Sequence, residues 1–206
     1  MRHSIPRLIA LAILVFAGTS TAQIPAWDID PVHSTAQFSV RHLMVSNVKG
    51  EFGKVTGEVH YDARDISTAS AQVLIDTSTI DTRNPKRDAH LKSPDFLDVE
   101  KFPSITFHSK KVTAAGPGNL KLTGDLTMHG VTKEVVLDVE GPSAEVRGPG
   151  GRARIGASAT TRINRKDFGM VWNRPLELGG VVVSDEVKIT LEVELISKAD
   201  PPKPPN

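Results

Sequence analysis

The side chains that could carry acid–base or metal chemistry are scattered along the chain and form no recognisable motif. The histidines that follow residue 22 are His33, His42, His60, His90, His108 and His129, and the chain has no cysteine. No two of them have the close spacing usual for zinc ligands, and neither a phosphate-binding glycine loop nor a nucleophile-elbow motif is present. We interpret them as surface and strand-end residues, although distant imidazoles can converge on a metal ion. We therefore expect no resident metal.

A histidine, a serine and two carboxylates occur together near the start of the chain, as Asp28, Asp30, His33 and Ser34. Adjacent residues of a strand point to opposite faces, so His33 cannot readily accept the proton of the Ser34 hydroxyl. A catalytic triad is defined by that geometry, and this spacing opposes it. We therefore interpret these residues as a group whose hydrogen bonds close the fold, and not as a catalytic site.

Two further groups of polar residues allow either a structural or a functional interpretation. Arg87, Asp88 and His90 lie close together in the chain, and they either tie a helix to the fold or form a polar rim for a ligand's head group. The second group comprises Arg162, Asn164, Arg165 and Asp167, which precede Trp172. Trp172 either lines a cavity or fills the core, and the sequence leaves both open.

The elements that must position these residues are mostly strands, because apolar and polar residues alternate along much of the chain. The alternating runs lie at 36–42, 55–61, 70–76, 104–112, 120–128, 133–140, 153–163 and 187–195. Compact turns at 114–119 and 129–130, and the lack of βαβ spacing, predict an antiparallel barrel or sandwich. The fold class is therefore all-β with about eight strands.

Residues 82–100 break the alternation. Pro85 follows Asn84, and Pro94 follows Ser93, so that each proline comes directly after a residue suited to cap a helix. We predict two short helices or helical turns, packed over an end or flank of the barrel through Leu91, Phe96 and Leu97.

Both ends of the chain are predicted to lie outside the folded domain. Residues 1–22 combine a basic start, an apolar run and the small residues Ser20, Thr21 and Ala22, which is typical of a secretory signal cleaved before Gln23. The apolar run is shorter than the roughly 20 residues of a membrane span, and an uncleaved anchor is the alternative. Residues 23–196 then form one domain, and the proline-rich residues 197–206 form a disordered tail.

The charge of the chain is balanced. Two of its 25 basic residues and none of its 24 acidic residues precede Gln23, so 23 basic and 24 acidic residues remain. Nucleic acids and anionic membrane surfaces require a clustered basic excess, which is missing here. We expect no nucleic-acid partner.

Small residues among the inward positions predict interior volume. The inward set mixes large residues with small ones: Phe38, Phe52, Phe107 and Met128 with Gly57, Ala71, Gly124, Ala157 and Ala159. An eight-stranded barrel is just wide enough to be filled by large side chains or to hold one ligand. A dry apolar cavity favours an apolar guest. From the residues alone, a ligand-binding barrel and a packed sandwich both stay open.

Several motifs, in order, resemble the YceI family of lipocalin-like polyisoprenoid-binding proteins. They are Trp27-Asp28-Ile29-Asp30 with His33-Ser34, and the segments 87–91, 93–98, 102–107, 124–133 and 164–170. The resemblance runs from about Trp27 to Leu195. It is weakest at 145–152, where many members carry Asp-Pro-aromatic-Gly and this chain has Gly-Pro-Gly-Gly, so the shape of one barrel end and the head-group selectivity are open.

The resemblance implies an extended eight-stranded antiparallel lipocalin-like β-barrel with a short helical insertion, in a usually periplasmic protein. It also implies an apolar tunnel for an isoprenoid quinone, a polyprenyl lipid or a similar amphiphile, which would be the ligand, with no other cofactor. We expect a periplasmic carrier without catalytic activity and with transient membrane contact for lipid exchange. Pairing of two barrels stays open.

Strand parity assigns the residues that would contact the lipid. The chain of the lipid would lie among Phe38, Val40, Phe52, Val59, Ile75, Phe107, Leu122, Leu126, Ile163 and Trp172. The head group would meet His42, Arg87, His90 and Asn164 at one mouth. Two rival functions are an enzyme acting on a lipid or quinone, and a stress-protection module whose lipid is incidental.

Overall fold

The computed structural model describes residues 24–177 and 179–199. The strands are β1 (Ala26–Ile29), β2 (Thr35–His42), β3 (Ser46–Phe52), β4 (Val55–His60), β5 (Ser70–Asp76), β6 (Ile80–Asp81), β7 (Ser104–Ala114), β8 (Asn119–Met128), β9 (Val131–Glu140), β10 (Val146–Arg147), β11 (Ala153–Asn164) and β12 (Val183–Ser197). The α-helix is α1 (Pro85–Lys92), and 3-10 turns occupy Ile66–Thr68, Thr77–Thr79, Pro149–Gly151 and Arg165–Phe168. The predicted signal 1–22 and residues 200–206 of the predicted tail lie outside the described residues, and Ser197, where that tail was predicted to begin, is the last residue of β12.

Several short strands join end to end into longer rows of the barrel. β1 and β2 pair with β12 at different heights, with Ile29 opposite Leu195 and Val40 opposite Val187. β3 pairs with β2 and β6, while β4 pairs with β1 and β5, so β3–β4 and β5–β6 form the next two rows. The chain therefore crosses the barrel wall in longer stretches than the individual strands suggest.

These rows close into a barrel of eight antiparallel strands. From β5 the order runs through β7, β8 and β9 to β11, which pairs with β12, and β12 pairs with β1 and β2. The β11–β12 seam is the longest, from Arg154 opposite Ile196 to Asn164 opposite Glu186. Closure gives each row two neighbours and removes exposed edges. The predicted eight-stranded antiparallel barrel is confirmed, and the sandwich alternative is wrong.

A side-chain cluster secures the barrel where β1 ends. Asp30 Oδ2 accepts hydrogen bonds from Arg154 Nη1 at 2.8 Å and is 2.9 Å from His33 Nδ1, and Arg154 also pairs with Glu194. The Ser34 hydroxyl oxygen accepts the backbone N–H of Glu194 at 3.0 Å. The bonds join β1 and the turn after it to β11 and β12. This is the hydrogen bonding predicted for the chain start, with His33 turned to Asp30 and Ser34 turned to β12.

The segment 82–100 contains one α-helix where two helices or helical turns were predicted. The Asn84 side chain accepts the backbone N–H of Arg87 at 3.1 Å, as expected for a helix cap. After Ser93 the chain forms turns, with the N–H of Asp98 bonded to the Ser93 carbonyl. The second predicted element is therefore a set of turns and not a helix, and Phe96 and Leu97 are buried there. No helix among the described residues is long and apolar enough to cross a membrane.

Candidate ligand-binding cavity

The interior of the barrel contains a cavity of about 440 Å³. Every long row of the barrel contributes inward side chains to its wall, and α1 with the turns after it covers one end. The wall is almost entirely hydrocarbon, with Phe107 and Leu126 buried and the rings of Phe38 and Phe52 in contact, their centroids 5.9 Å apart. Because water in such a cavity finds few hydrogen-bond partners, the space favours an apolar guest.

The structure places thirteen of the fourteen predicted ligand-binding residues on this wall. They are Phe38, Val40, His42, Phe52, Val59, Ile75, Arg87, His90, Phe107, Leu122, Leu126, Ile163 and Trp172. For the ten that lie on strands this position follows from the alternation, whereas Arg87 and His90 lie on α1 and Trp172 lies in the loop before β12. Their contact with a ligand stays a prediction.

Asn164 does not line the cavity. It is exposed, and its side-chain oxygen accepts the backbone N–H of Lys166 at 3.0 Å, which begins the 3-10 turn after β11. The inward place belongs to Arg165, which is 3 % exposed and lines the cavity. The signal was available in the sequence, because with Ile163 inward the parity of the strand turns residue 164 outward.

The small inward residues divide into two kinds. Ala71, Ala157 and Ala159 line the cavity and leave space in it, as predicted. Gly57 and Gly124 are not part of its wall. A Cβ on Gly124 would stand 2.5 Å from the His108 carbonyl oxygen and 2.5 Å from Phe107 Cζ, so neighbouring atoms fill that space. The expectation that these glycines add cavity volume is wrong.

An aromatic cluster closes the end of the cavity beneath α1. The His90 ring lies edge-on to Phe96 at 5.1 Å and to Trp172 at 4.8 Å between centroids. Trp172 lines the cavity, which decides between the two roles that the sequence left open for it. The guanidinium of Arg174 lies 5.9 Å from the centre of the Trp172 ring, a cation–π distance.

Arg87 and Asp88 attach α1 to the chain after β6 through one residue, Thr82. Arg87 Nε donates to the Thr82 hydroxyl at 2.7 Å and its Nη2 to the Thr82 carbonyl at 2.7 Å. Asp88 accepts the backbone N–H of Thr82 at 2.9 Å. Arg87 and Asp88 therefore tie the helix to the fold, which is the structural one of the two interpretations. Both bind Thr82, and they do not pair with each other. Arg87 also lines the cavity, and its Nη1 takes no part in the bonds to Thr82.

Arg165 organises the mouth of the cavity. Its Nη1 donates to the carbonyls of Met170 at 2.7 Å and Trp172 at 2.8 Å, and its Nε donates to the Ser184 carbonyl at 3.0 Å. Its Nη2 lies 3.3 Å from Asp185 Oδ1. Burial lowers the pKa of Arg165, and Asp185 partly offsets that effect. An arginine with bonds to three carbonyls acts mainly as a positioning group for the 170–172 segment.

Asp30, His33 and Glu194 are the group of potential metal-ligand atoms found among the described residues. The guanidinium of Arg154 lies between the two carboxylates and bonds to both, so a positive charge already occupies this place. The hydrogen bond from His33, helped by Arg154, holds the pKa of Asp30 well below its usual range. The same bond raises the pKa of His33. This group is a structural ion-pair network.

Comparisons with known proteins identify the same fold and family. Residues 27–195 match the family model described as a YceI-like domain. A UPF0312 protein of Staphylococcus aureus is 40 % identical over 165 residues, which covers 80 % of this chain and 94 % of that protein. The crystal structure of a Campylobacter jejuni YCEI protein is 33 % identical with a TM-score of 0.66, covering 77 % of this chain and 90 % of that one.

A second structure shares the fold at low sequence identity. It is a polyisoprenoid binding domain from Saccharophagus degradans, described as implicated in plant cell wall breakdown. Its TM-score is 0.61 at 15 % identity, and the match covers 83 % of this chain and 98 % of that chain.

Proposed function

The chain belongs to the YceI-like family, and on that premise we propose that it is a periplasmic carrier of a long-chain isoprenoid lipid. The lipid would be a polyprenyl compound or an isoprenoid quinone, held with its chain inside the barrel. The observation that carries the proposal is the apolar cavity of about 440 Å³ in a closed barrel. The Saccharophagus degradans domain, a polyisoprenoid binding domain of the same fold, supports this choice of ligand.

The physical argument for an apolar chain rests on the composition of the wall. Pockets that hold small molecules are commonly about 300–1,000 Å³, and the volume of this cavity falls in that range. Each Å² of apolar surface removed from water contributes about 25 cal/mol, so a hydrocarbon chain gains more here than a polar guest. The ordering of the chain opposes binding, which makes a preformed cavity favourable.

The head group would lie at the end covered by α1. His42 and Arg87 line the cavity there, and neither makes an ion pair within 24–177 and 179–199. His90 is held by Asp95, whose Oδ2 lies 2.8 Å from its Nε2. We propose that His42 and Arg87 donate hydrogen bonds to a quinone carbonyl or a phosphate, since arginine suits both. Asn164 has no part in this contact.

Export is the second half of the proposal. Residues 1–22 would direct the chain through the secretory pathway and be removed before Gln23, as their basic start and apolar run suggest. The bound lipid would be the cargo, and no catalytic step is proposed. Turnover of a quinone that disappears in a His42→Ala variant would instead favour the enzymatic alternative.

The test is to express the full chain in a bacterium with a periplasm, isolate that compartment and measure the intact protein by native mass spectrometry. We expect an N-terminus at Gln23 and one lipid per barrel, identified after solvent extraction. A protein that is empty and also fails to take up an added isoprenoid quinone would overturn the carrier proposal. A protein retained in the cytoplasm would overturn the proposed location alone.

A variant that fills the cavity tests whether the lipid lies inside the barrel. Ala157 lines the cavity on β11, and an Ala157→Trp side chain would occupy space that the lipid chain needs. We expect at least about a tenfold loss of lipid affinity, equivalent to losing the burial of a side chain or more. Ser158→Trp on the same strand points outward and is the matched control.

The variants must be folded for this comparison to be valid. Circular dichroism and thermal unfolding of both proteins check this, because a large side chain inserted into a packed interior can destabilise it. If Ala157→Trp does not fold, Ala157→Leu provides a smaller obstruction. Equal lipid affinity of the filled variant and the Ser158→Trp control would place the lipid outside the cavity.

A further inference from the structure

The turn between β2 and β3 exposes three large apolar residues in a row. Leu43 is 40 %, Met44 is 53 % and Val45 is 74 % exposed. Leu43 and Met44 have left-handed backbone φ values of 49° and 60°, a conformation that asparagine or glycine adopts more readily. The turn therefore carries apolar side chains where turn geometry would favour polar ones. We call Leu43, Met44 and Val45 the apolar tip.

The apolar tip lies beside the mouth of the cavity. His42, which directly precedes it, lines the cavity, and the Leu43 N–H donates to the Val182 carbonyl at 2.9 Å. Val182 lines the cavity too, and Met44 Cγ is 3.6 Å from where a Cβ on Gly180 would stand. The tip thus packs on the 171–182 loop. That loop begins with Val171, which is 66 % exposed and precedes the cavity residue Trp172.

Cationic side chains accompany these apolar residues. Arg41 precedes the tip, and Arg174 lies in the 171–182 loop; both are exposed and make no ion pair with the described part of the chain. Arg41 Nε donates to the Met44 carbonyl at 3.2 Å, which holds its guanidinium beside the tip. With Glu177 in the same loop, residues 41–45 and 171–182 carry a net charge of +1, a small local excess in a chain whose total charge is balanced. Guanidinium groups bind phosphate oxygens well, so the charges suit the phosphate layer of a bilayer.

We infer that the apolar tip docks this mouth on a phospholipid bilayer by inserting Leu43, Met44 and Val45 into the membrane interface. The inference rests on the proposed carrier function, for which it supplies the route of loading. Exposing a long isoprenoid chain to water costs about 25 cal/mol of free energy for each Å² of apolar surface. Direct passage of the chain between bilayer and cavity is therefore favoured over its release into water. Interfacial insertion of exposed apolar groups, aided by nearby cations, is an established mode of reversible membrane binding.

Vesicle flotation tests the docking surface and does not require a lipid ligand in the cavity. The purified protein is mixed with vesicles of phosphatidylethanolamine and phosphatidylglycerol, and the floating fraction is measured. We expect a Met44→Asp/Val45→Asp variant to lose about tenfold or more of this binding, because it replaces insertable side chains by charges. Val146→Asp is the matched control, since Val146 is an apolar residue with 60 % exposure on β10, near the opposite end of the barrel. It should float as the unchanged protein does.

The outcomes separate docking from ligand binding. A protein that takes up isoprenoid quinone and does not float with vesicles overturns the docking inference and leaves the carrier function intact. Flotation that is equal in the tip variant and the Val146→Asp control means that another surface contacts the bilayer. A dimer in solution that the tip variant dissociates would show that a second copy covers the tip, which also overturns docking.

Discussion

Replacement of Arg165 by methionine tests whether a single buried cation holds the cavity mouth together. Methionine retains only the inner, apolar part of the side chain and removes the guanidinium, whose carbon lies 6.0 Å from the centre of the Phe96 ring. The carbonyls of Met170, Trp172 and Ser184 lose their donor, at distances of 2.7, 2.8 and 3.0 Å in the parent protein. Each unpaired buried carbonyl costs about 1–3 kcal/mol.

The expected loss is smaller than the largest sum of these values. Trp172 and Ser184 are only partly buried, so water can reach their carbonyls when the arginine is gone. Asp185 keeps Lys166 as a partner at 2.9 Å and is not left as an unpaired charge. We therefore expect Arg165→Met to lower the free energy of unfolding by about 3–5 kcal/mol. For a domain of this size that corresponds to a fall of about 6–20 °C in Tm.

Arg162, three residues earlier near the end of β11, provides a matched control. It pairs with Glu186, and both side chains are about 60 % exposed, so Arg162→Met should change the free energy of unfolding by no more than about 1 kcal/mol. Urea unfolding followed by tryptophan fluorescence measures both variants, and Trp172 reports directly on the mouth. If Arg165→Met is within about 1 kcal/mol of Arg162→Met, the interpretation of Arg165 as the group that holds the mouth is wrong.

Two further predictions concern the barrel wall. Gly124→Ala should destabilise the protein by about 1–3 kcal/mol, because the new Cβ would stand 2.5 Å from the His108 carbonyl oxygen. Gly156→Ala should not, because the nearest contact of its Cβ would be 3.6 Å away. Equal stability of the two variants in urea would contradict the close approach at Gly124. Because the pKa of Asp30 is lowered, its contribution to the free energy of unfolding is present above about pH 4 and is lost as pH falls towards the pKa of the folded state. Because the pKa of His33 is raised, its contribution is present below about pH 6.5 and is lost as pH rises through the pKa of the folded state. Asp30→Asn should remove both dependences from the profile of unfolding free energy against pH, and an unchanged profile would refute the assignment.

Much of the cavity wall follows from local sequence. In β12, Val187, Ile189 and Leu191 alternate with polar residues, and the structure turns these three inward. A strand with one buried face has no other way to place such a pattern, so its parity reveals which side chains face the interior. The same parity explains why Arg165 rather than Asn164 reaches the cavity.

Local sequence was enough to predict most of the strands, most of the inward side chains, the cap of α1 at Asn84 and the family, because each depends on residues close together in the chain. The strands β1 and β3 were not among the predicted alternating runs. The tertiary structure sets how the strands close, and with that the place of the Asp30–Arg154 bond, which joins residues 124 positions apart. It also decided whether a small inward residue leaves space, as Ala157 does, or receives a neighbouring ring, as Gly124 does. Volume depends on which side chains of other strands lie opposite, and pairing between distant segments sets that arrangement.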